Sequence, residues 1–293
     1  MTLDVIIVAY ECREALMRCL DGLDHAAGAC RVIVVDNDSS DGTAELLLQR
    51  EPAIELVALE ENIGFGAAVN RGVAAGNADS VLLLNPDAVI DSVALGRLRS
   101  ALAADPQLAA AGPRIRDDSG RLELSSGRTM SPINEAGFKL VETLRRIGLV
   151  ERWLESRHDE DRETVALSGA CMLLRRDAFE AVGGFDERFF LYGEDVDLCR
   201  RLTVANWRLS YVAGATVLHT RGASAAARPL ASEIAYRRSQ LAFYRKHHRP
   251  WIAGLLSQYV KTRYRLRIAL RAGPGASRAR EVLAALEREQ GAA

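Results

Sequence analysis

RVIVVDNDSSDG, residues 31–42, decides how this chain folds. Val32 to Val35 form a β-branched apolar run with no alternating polar residue, as in a strand covered on both faces. The run ends in Asp36 and gives way at once to a turn holding Asp38, Asp41 and Gly42. The same rhythm repeats on either side. Upstream, residues 5–8 are a second apolar run, followed by a helical stretch at about 14–24. Downstream, Leu47 and Leu48 belong to a helix, 54–59 reads as a strand, 66–75 as a helix and 81–84 as a buried strand. This βαβα order predicts an α/β fold whose mostly parallel central sheet carries helices on both faces.

After Pro113 the rhythm changes. Residues 114–164 mix polar loops with an amphipathic segment near 135–150. An apolar stretch at 170–174, an aromatic cluster at 185–192, a helix near 195–205, a strand at 209–212 and a short run at 215–219 follow. With no linker-like break, these less regular pieces complete the same domain. From 232 onward the pattern is helical, broken by GPGAS at 273–277 and ending in a short charged helix or disordered stretch at 281–290.

The 293 residues carry a formal net charge of -1, so no global field points to nucleic acid. Charge is nevertheless uneven. Between 237 and 271 lie Arg237, Arg238, Arg245, Lys246, Arg249, Lys261, Arg263, Arg265, Arg267 and Arg271, with no acidic residue. The five cysteines, Cys12, Cys19, Cys30, Cys171 and Cys199, are scattered and odd in number, which suits a reducing compartment better than a disulfide framework. The N-terminus, MTLDVIIVAY, enters a strand without a basic leader, and no apolar run has the length a spanning helix needs. The expectation is a cytoplasmic protein, with peripheral contact at the inner face of the plasma membrane left open.

Four motifs and one histidine carry the chemistry. Asp36 and Asp38 stand at a strand's carboxyl end, where open α/β sheets bind ligands. Helix capping accounts for Asp41 or Ser40 but not for both of the others. A carboxylate there can accept a pyrimidine N3–H or a pentose hydroxyl. In Glu61-Asn62-Ile63-Gly64-Phe65-Gly66, two glycines at a helix mouth let backbone approach a ligand and offer free N–H groups. Asn85-Pro86-Asp87 follows a strand, so Asn85 and Asp87 can face one site, and Asp87 suits a hard divalent ion; the plain alternative is that Asp87 caps a helix. The stretch 183–199 joins a glycine pair, Phe185, Phe189, Phe190 and Tyr192 to Asp186, Glu187, Glu194, Asp195 and Asp197. Aromatic walls can stack a sugar and tune a nearby carboxylate as a general base. His219 ends a strand; such a lone histidine is usually structural, but beside one carboxylate it can complete a metal site.

Read together, Asp36/Asp38, Asn62-x-Gly64-Phe65-Gly66 with Asn70, Asn85-Pro86-Asp87 and Tyr192-Gly193-Glu194-Asp195-x-Asp197 resemble glycosyltransferase family 2, inverting enzymes of the GT-A fold, and most closely its bacterial rhamnosyltransferase-like branch. The resemblance covers residues 3–221. It implies a GT-A domain over 1–225, with a nucleotide-sugar half at 1–112 and an acceptor and catalytic half at 113–225, then a basic helical extension over 226–293. It implies that Ala9, Tyr10 and Glu11 line the nucleotide and that Asp36 recognises the pyrimidine. The 62–70 stretch, with Arg71, would underlie nucleotide and diphosphate. Asn85-Pro86-Asp87 matches the family's D-x-D motif, with Asp87 as metal ligand; Asn85 departs from it by losing a charge. Ser168, Gly169 and Ala170 match the acceptor border, where Phe190 and Tyr192 would also lie. Asp195 matches the general base, with Asp197 or Glu194 next in line, and His219 a late histidine near metal and diphosphate.

The resemblance points to dTDP-L-rhamnose as donor, with UDP-sugars as the alternative, and to Mg²⁺ or Mn²⁺ as cofactor. The acceptor would be a saccharide, free or lipid-linked, in cell-wall or surface polysaccharide synthesis. The basic segment, interleaved with Tyr244, Trp251, Leu255, Leu256, Tyr259 and Tyr264, reads either as contact with an anionic membrane or as an arginine-rich solvated face of packed helices. Self-association stays open. A nucleotidyltransferase would want a basic, glycine-rich loop after the first strand, where only Arg13 occurs, and a nicotinamide enzyme would want the G-x-G-x-x-G fingerprint there. The acidic strand end opposes nucleic-acid binding. An inert homologue that merely binds nucleotide sugars is disfavoured by Asp87, Asp195 and Asp197.

Overall fold

Strand β1 (Leu3–Ala9) is buried along its whole length and lies between β2 (Arg31–Asp36) and β4 (Ser80–Leu84), parallel to both. The structure is a computed structural model that describes residues 1–26, 30–50, 54–127, 129–131, 134, 137, 140–141, 143–145, 148, 150–220, 229–270 and 273–291. β3 (Glu55–Ala58) flanks β2. Beyond β4 come β8 (Cys171–Arg175), β6 (Leu108–Arg116), the long β9 (Arg208–His219) and β5 (Ala88–Ile90), while the short β7 (Arg162–Thr164) also pairs with β9. β1, β2, β3, β4, β6 and β9 run one way, and β8, β5 and β7 run against them. The sheet is thus mostly parallel, as the unalternating apolar runs require.

Helices close both faces. On one, α1 (Arg13–Ala26) and α4 (Ser92–Ala104) bury Leu16, Leu20, Leu23, Leu95 and Leu98 against β1, β4 and β9. On the other, α3 (Phe65–Ala75), α6 (Arg176–Ala181) and α7 (Glu194–Val204) bury Val69, Val73, Phe179, Leu198 and Leu202 against the same strands' opposite side chains. Two short helices, α2 (Thr43–Leu48) and α5 (Glu151–Arg157), complete the connections. The residues expected as separate strands at 209–212 and 215–219 form one continuous β9, with the ladder to β6 shifted between Pro113 and Arg114. Half of the amphipathic segment expected at 135–150 lies outside the described residues.

Three helices follow, α8 (Pro229–His247), α9 (Pro250–Leu270) and α10 (Pro274–Gly291). Gly273, at φ 75°, makes the turn into α10, and 281–290 is helical throughout. Leu241, Val260, Tyr264, Val282 and Leu286 form their shared core. A second cluster, Phe189, Phe243, Tyr244 and Ala253, ties α8 and α9 to the aromatic loop before α7.

Candidate active site

The sheet topology gathers most of the chemistry-bearing residues at one edge. Ala9 and Asp36 are register partners at the carboxyl ends of β1 and β2, Asn85 follows β4, and β8 starts beside that end because it is antiparallel. His219 closes β9 as the register partner of Ala88, one residue after Asp87.

At the β2 end, Asp36 is buried and its Oδ1 accepts from Ser39 N at 3.2 Å. Burial pushes its pKa up, against the hydrogen bonds from Ser39. Asp38 is exposed at φ 69°, and Asp41 accepts from Arg13 N and Thr43 N, joining the starts of α1 and α2. Ala9 has its side chain in the core, and its carbonyl accepts from Asn37 N. Glu11, at φ 50°, accepts from Ser40 N and Oγ, so it braces the two strand-end loops against each other. Tyr10 is half-buried between them in sequence.

The glycine motif packs against the aromatic loop before α7. A Cβ on Gly64, at φ 88°, would run into the Phe190 backbone, and Phe65 N already donates to Phe190 O at 2.9 Å. A Cβ on Gly66 would crowd Phe185 at 3.1 Å. Both glycines thus allow a close approach between two protein loops. Asn70 holds the same loop, donating to Phe185 O and accepting from Phe185 N, both at 2.9 Å. Asn37, unremarked in the sequence, accepts from Ile63 N and donates to Asn62 Oδ1. Arg71 is exposed on α3.

Beside β4, half-buried Pro86 separates two working residues. Asp87 Oδ1 lies 3.1 Å from His219 Nε2, and Asn85 Nδ2 lies 3.4 Å from the same nitrogen. On the ring's other side, His219 Nδ1 is 3.3 Å from the buried carboxylate of Glu123. Glu123 carried no sequence signal: it is a lone acid in a polar loop, 96 positions from its partner. Burial by itself would lower the His219 pKa; the hydrogen bonds to Asp87 and Glu123 outweigh it and raise it to about 9.

This arrangement fits a divalent ion. If Nδ1–H donates to Glu123, Nε2 and Asp87 Oδ1 are two acceptors facing each other, and only a proton or a cation between them relieves the repulsion. A carboxylate holding the outer nitrogen of a metal-binding histidine is the usual supporting partner. Among the described residues no three His, Cys, Asp or Glu side chains form a cage of their own. Other ligand positions would therefore fall to solvent or substrate oxygens.

The third group is at α7. Asp195 Oδ2 accepts from Gly169 N at 3.0 Å and Oδ1 from Val196 N at 2.8 Å. Ala170 O in turn accepts from Asn85 N, so two adjacent residues link Asp195 to the Asn85-Pro86-Asp87 turn. Ser168 is half-buried, its Oγ accepting from Ala170 N. Phe190 is half exposed, and Tyr192, at φ 70°, packs edge-on against Tyr236.

The two neighbours of Asp195 behave differently. Glu194 is buried and its Oε2 has no hydrogen-bond partner; burial, then the Asp195 charge, raises its pKa well above the ordinary value. Asp197 is corrected from reserve base to anchor. It is wholly buried and saturated by Arg201 Nε at 2.7 Å, Lys246 Nζ at 2.6 Å and His247 Nε2 at 2.6 Å. Lys246 and His247 come from α8, so part of the basic segment serves inside the fold. Lys246 also holds Asp186, and Arg267 and Arg265 reach Glu233 and Glu287. Arg271 lies outside the described residues.

Comparisons with known proteins bear on the family and the fold. A family model described as glycosyltransferase-like family 2 matches residues 2–254. The N-acetylglucosaminyl-diphospho-decaprenol L-rhamnosyltransferase of Mycobacterium tuberculosis is 36% identical over 266 residues, 85% of this chain and 86% of that protein. Among solved structures, the mannosyltransferase PcManGT from Pyrobaculum calidifontis, with GDP-Man and Mn²⁺, matches with a TM-score of 0.55 at 17% identity, over 98% of this chain and 86% of that one. TarS from S. aureus, residues 1–349 with UDP, matches with a TM-score of 0.56 at 16% identity, over 83% of this chain and 65% of that one. At such identities the structural likeness speaks for the GT-A fold.

Proposed function

The chain belongs to glycosyltransferase-like family 2, and from that premise we propose that it transfers L-rhamnose from dTDP-L-rhamnose to a saccharide hydroxyl on a polyprenyl diphosphate. The observation that carries the proposal is the hydrogen-bonded line from Asp195 through Gly169 and Ala170 to Asn85, Asp87 and His219. It brings the Asp195 carboxylate and the Asp87–His219 pair to the same end of the sheet, which supports reading the first as the base and the second as a cation site. The rhamnosyl donor and the lipid-linked acceptor are supported by the mycobacterial relative's name and its near full-length match.

In the proposed reaction Asp195 takes the proton of the acceptor hydroxyl as that oxygen bonds to the anomeric carbon. The bond from that carbon to the diphosphate oxygen breaks on the opposite side, so configuration inverts. Gly169 N–H keeps the Asp195 carboxylate turned to its work. Asp87 and His219 would hold Mg²⁺ or Mn²⁺, which when bound offsets charge on the departing diphosphate. Asp36 would accept the pyrimidine N3–H, with Asn37 and Asn62 fixing the loop beneath. Phe190, half exposed beside the Gly64 turn, would border the acceptor. Residues 1–225 form the catalytic domain in this reading and 226–293 its helical extension. A lipid-linked acceptor sets the reaction at the inner face of the plasma membrane.

The test supplies purified protein with a short-chain polyprenyl-diphosphate GlcNAc, Mn²⁺, and dTDP-L-rhamnose, UDP-glucose or UDP-GlcNAc. Mass spectrometry should show one added deoxyhexose with the dTDP sugar alone. Thermal stabilisation should be strongest with dTDP plus Mn²⁺, since a ligand that binds only the native state raises its stability. Transfer from a UDP-sugar instead would overturn the rhamnosyl assignment. Folded protein that neither transfers nor binds nucleotide would be an inert homologue.

A further inference from the structure

Helix α9 is apolar on two opposite sides. Ala253, Ser257, Val260 and Tyr264 face inward, onto α8, α10 and Phe189. The other side carries Trp251, Leu255, Tyr259, Leu266 and Leu270, each between 54% and 81% exposed. Steps of four, four, seven and four residues keep them on one face along the whole 21-residue helix, about 30 Å in length. A helix that only needed to pack on its own domain would turn a polar face outward, and large exposed apolar patches mark contact sites.

The borders of this stripe are basic. At the helical period, Arg265 falls along one edge and Arg263 and Arg267 along the other, Arg265 also meeting Glu287 and Arg267 meeting Glu233. Arg263 and Arg267 rim a shallow groove of about 420 Å³ shared with Tyr259, Thr262, Leu266 and Leu270. An apolar stripe with aromatic residues, edged on both sides by cations, is the pattern of a helix lying in a lipid headgroup layer. Among the described residues no helix is long and apolar enough to cross a membrane, so contact would be lateral.

We propose that this face of α9 rests on an anionic lipid bilayer, with Trp251, Leu255, Tyr259, Leu266 and Leu270 at the acyl boundary and the flanking Arg263 and Arg265 against lipid phosphates. The proposal rests on the lipid-linked acceptor for its biological sense. Charge selects the occupant: a second copy would bring two cationic borders together, whereas anionic headgroups complement them. The contact face is also joined to the site. From α8, Lys246 and His247 hold Asp197, and Ser239 Oγ donates to Leu191 O at 2.9 Å. Ala253 packs in the Phe189 cluster. A protein seated on α9 therefore presents the loop of Phe190 and Asp195 in a fixed relation to the bilayer.

The experiment sediments the full chain with vesicles of phosphatidylcholine alone or mixed equally with phosphatidylglycerol. Binding should require the anionic lipid, weaken with salt, and fall at least ~10-fold in a W251S/L255S/L266S variant. An R263E/R265E variant should lose the preference for anionic vesicles, and it decides the matter if the first variant fails to fold. Unchanged vesicle binding in a folded stripe variant overturns the proposal, as does absence of wild-type binding. So does a dimer, seen by analytical ultracentrifugation, that the stripe substitutions dissociate without vesicle binding. Thermal shift with dTDP and Mn²⁺ on the same samples separates the two readings. A retained shift without vesicle binding removes the surface alone, and vesicle binding without a shift removes the transferase reading alone.

Discussion

Gly169 N donates to Asp195 Oδ2 at 3.0 Å, and a Cβ on Gly169 would stand 3.5 Å from the Asp195 Cβ. A backbone donor from one loop thus fixes the orientation of a carboxylate at the start of α7. Asp195→Asn keeps an acceptor oxygen for that bond while removing the basic group. Turnover should drop by at least ~100-fold, the usual weight of general acid–base catalysis, with dTDP affinity unchanged in a thermal-shift titration. A loss under tenfold would place the base elsewhere.

Glu123 acts at one remove, through His219. Without its carboxylate the ring is free to turn, and the outer nitrogen loses the partner that aims the inner one at Asp87. Glu123→Ala should weaken Mn²⁺ binding in the presence of dTDP by roughly 10–100-fold, the usual cost of losing such a supporting partner. Paramagnetic titration of Mn²⁺ reads this without turnover. Equal affinity in wild type and variant would leave Glu123 a purely structural acid.

The alternation of apolar runs and helices made β1 to β4 legible, because β1, β4 and most of β2 are buried on both faces and β3 pairs alongside them at the sheet's edge. β9 was harder. Its two halves look like separate runs, since Gly214 interrupts the apolar pattern and the ladder to β6 shifts register nearby. In the site, residues whose chemistry depends on nothing but a strand end, such as Asp36 and Asp87, could be read from local sequence. Glu123, Asn37 and the Lys246–Asp197 pair could not, because their meaning arises only when segments far apart in sequence meet. The Gly64–Phe65–Gly66 motif shows the same limit: glycine announces a close approach, and sequence does not say that the Phe190 backbone is what approaches.

That approach makes a measurable contrast. Gly64→Ala must hold a left-handed φ of 88° and force the Phe190 backbone away, so it should destabilise by more than about 1 kcal/mol. Gly96→Ala, in the exposed middle of α4 with nothing near its Cβ position, should stabilise by roughly 0.5–1 kcal/mol. Urea unfolding of both variants checks the pair. Similar effects from the two substitutions would mean that the Gly64–Phe190 contact is not a constraint.

Glu194 gives the pH dependence. Its pKa in the folded chain is raised well above the 4.5 of a free glutamate, first by burial and then by the Asp195 charge. Between those two values the unfolded chain releases a proton that the folded chain keeps, so stability falls as pH rises above about 4.5. Asp197 and Asp186 act oppositely. Asp197 is lowered although burial opposes it, because Lys246, His247 and Arg201 prevail; Asp186 is lowered first by Arg188. Their contributions are complete above the ordinary aspartate range and are lost only as pH falls below it. Glu194→Gln leaves those two terms in place and removes the Glu194 slope, so the melting-temperature difference between variant and wild type should grow in the variant's favour from pH 4.5 to 8.5. Parallel melting curves across that range would mean that Glu194 ionises freely in the folded protein, and that the buried, partnerless Oε2 is reached by water.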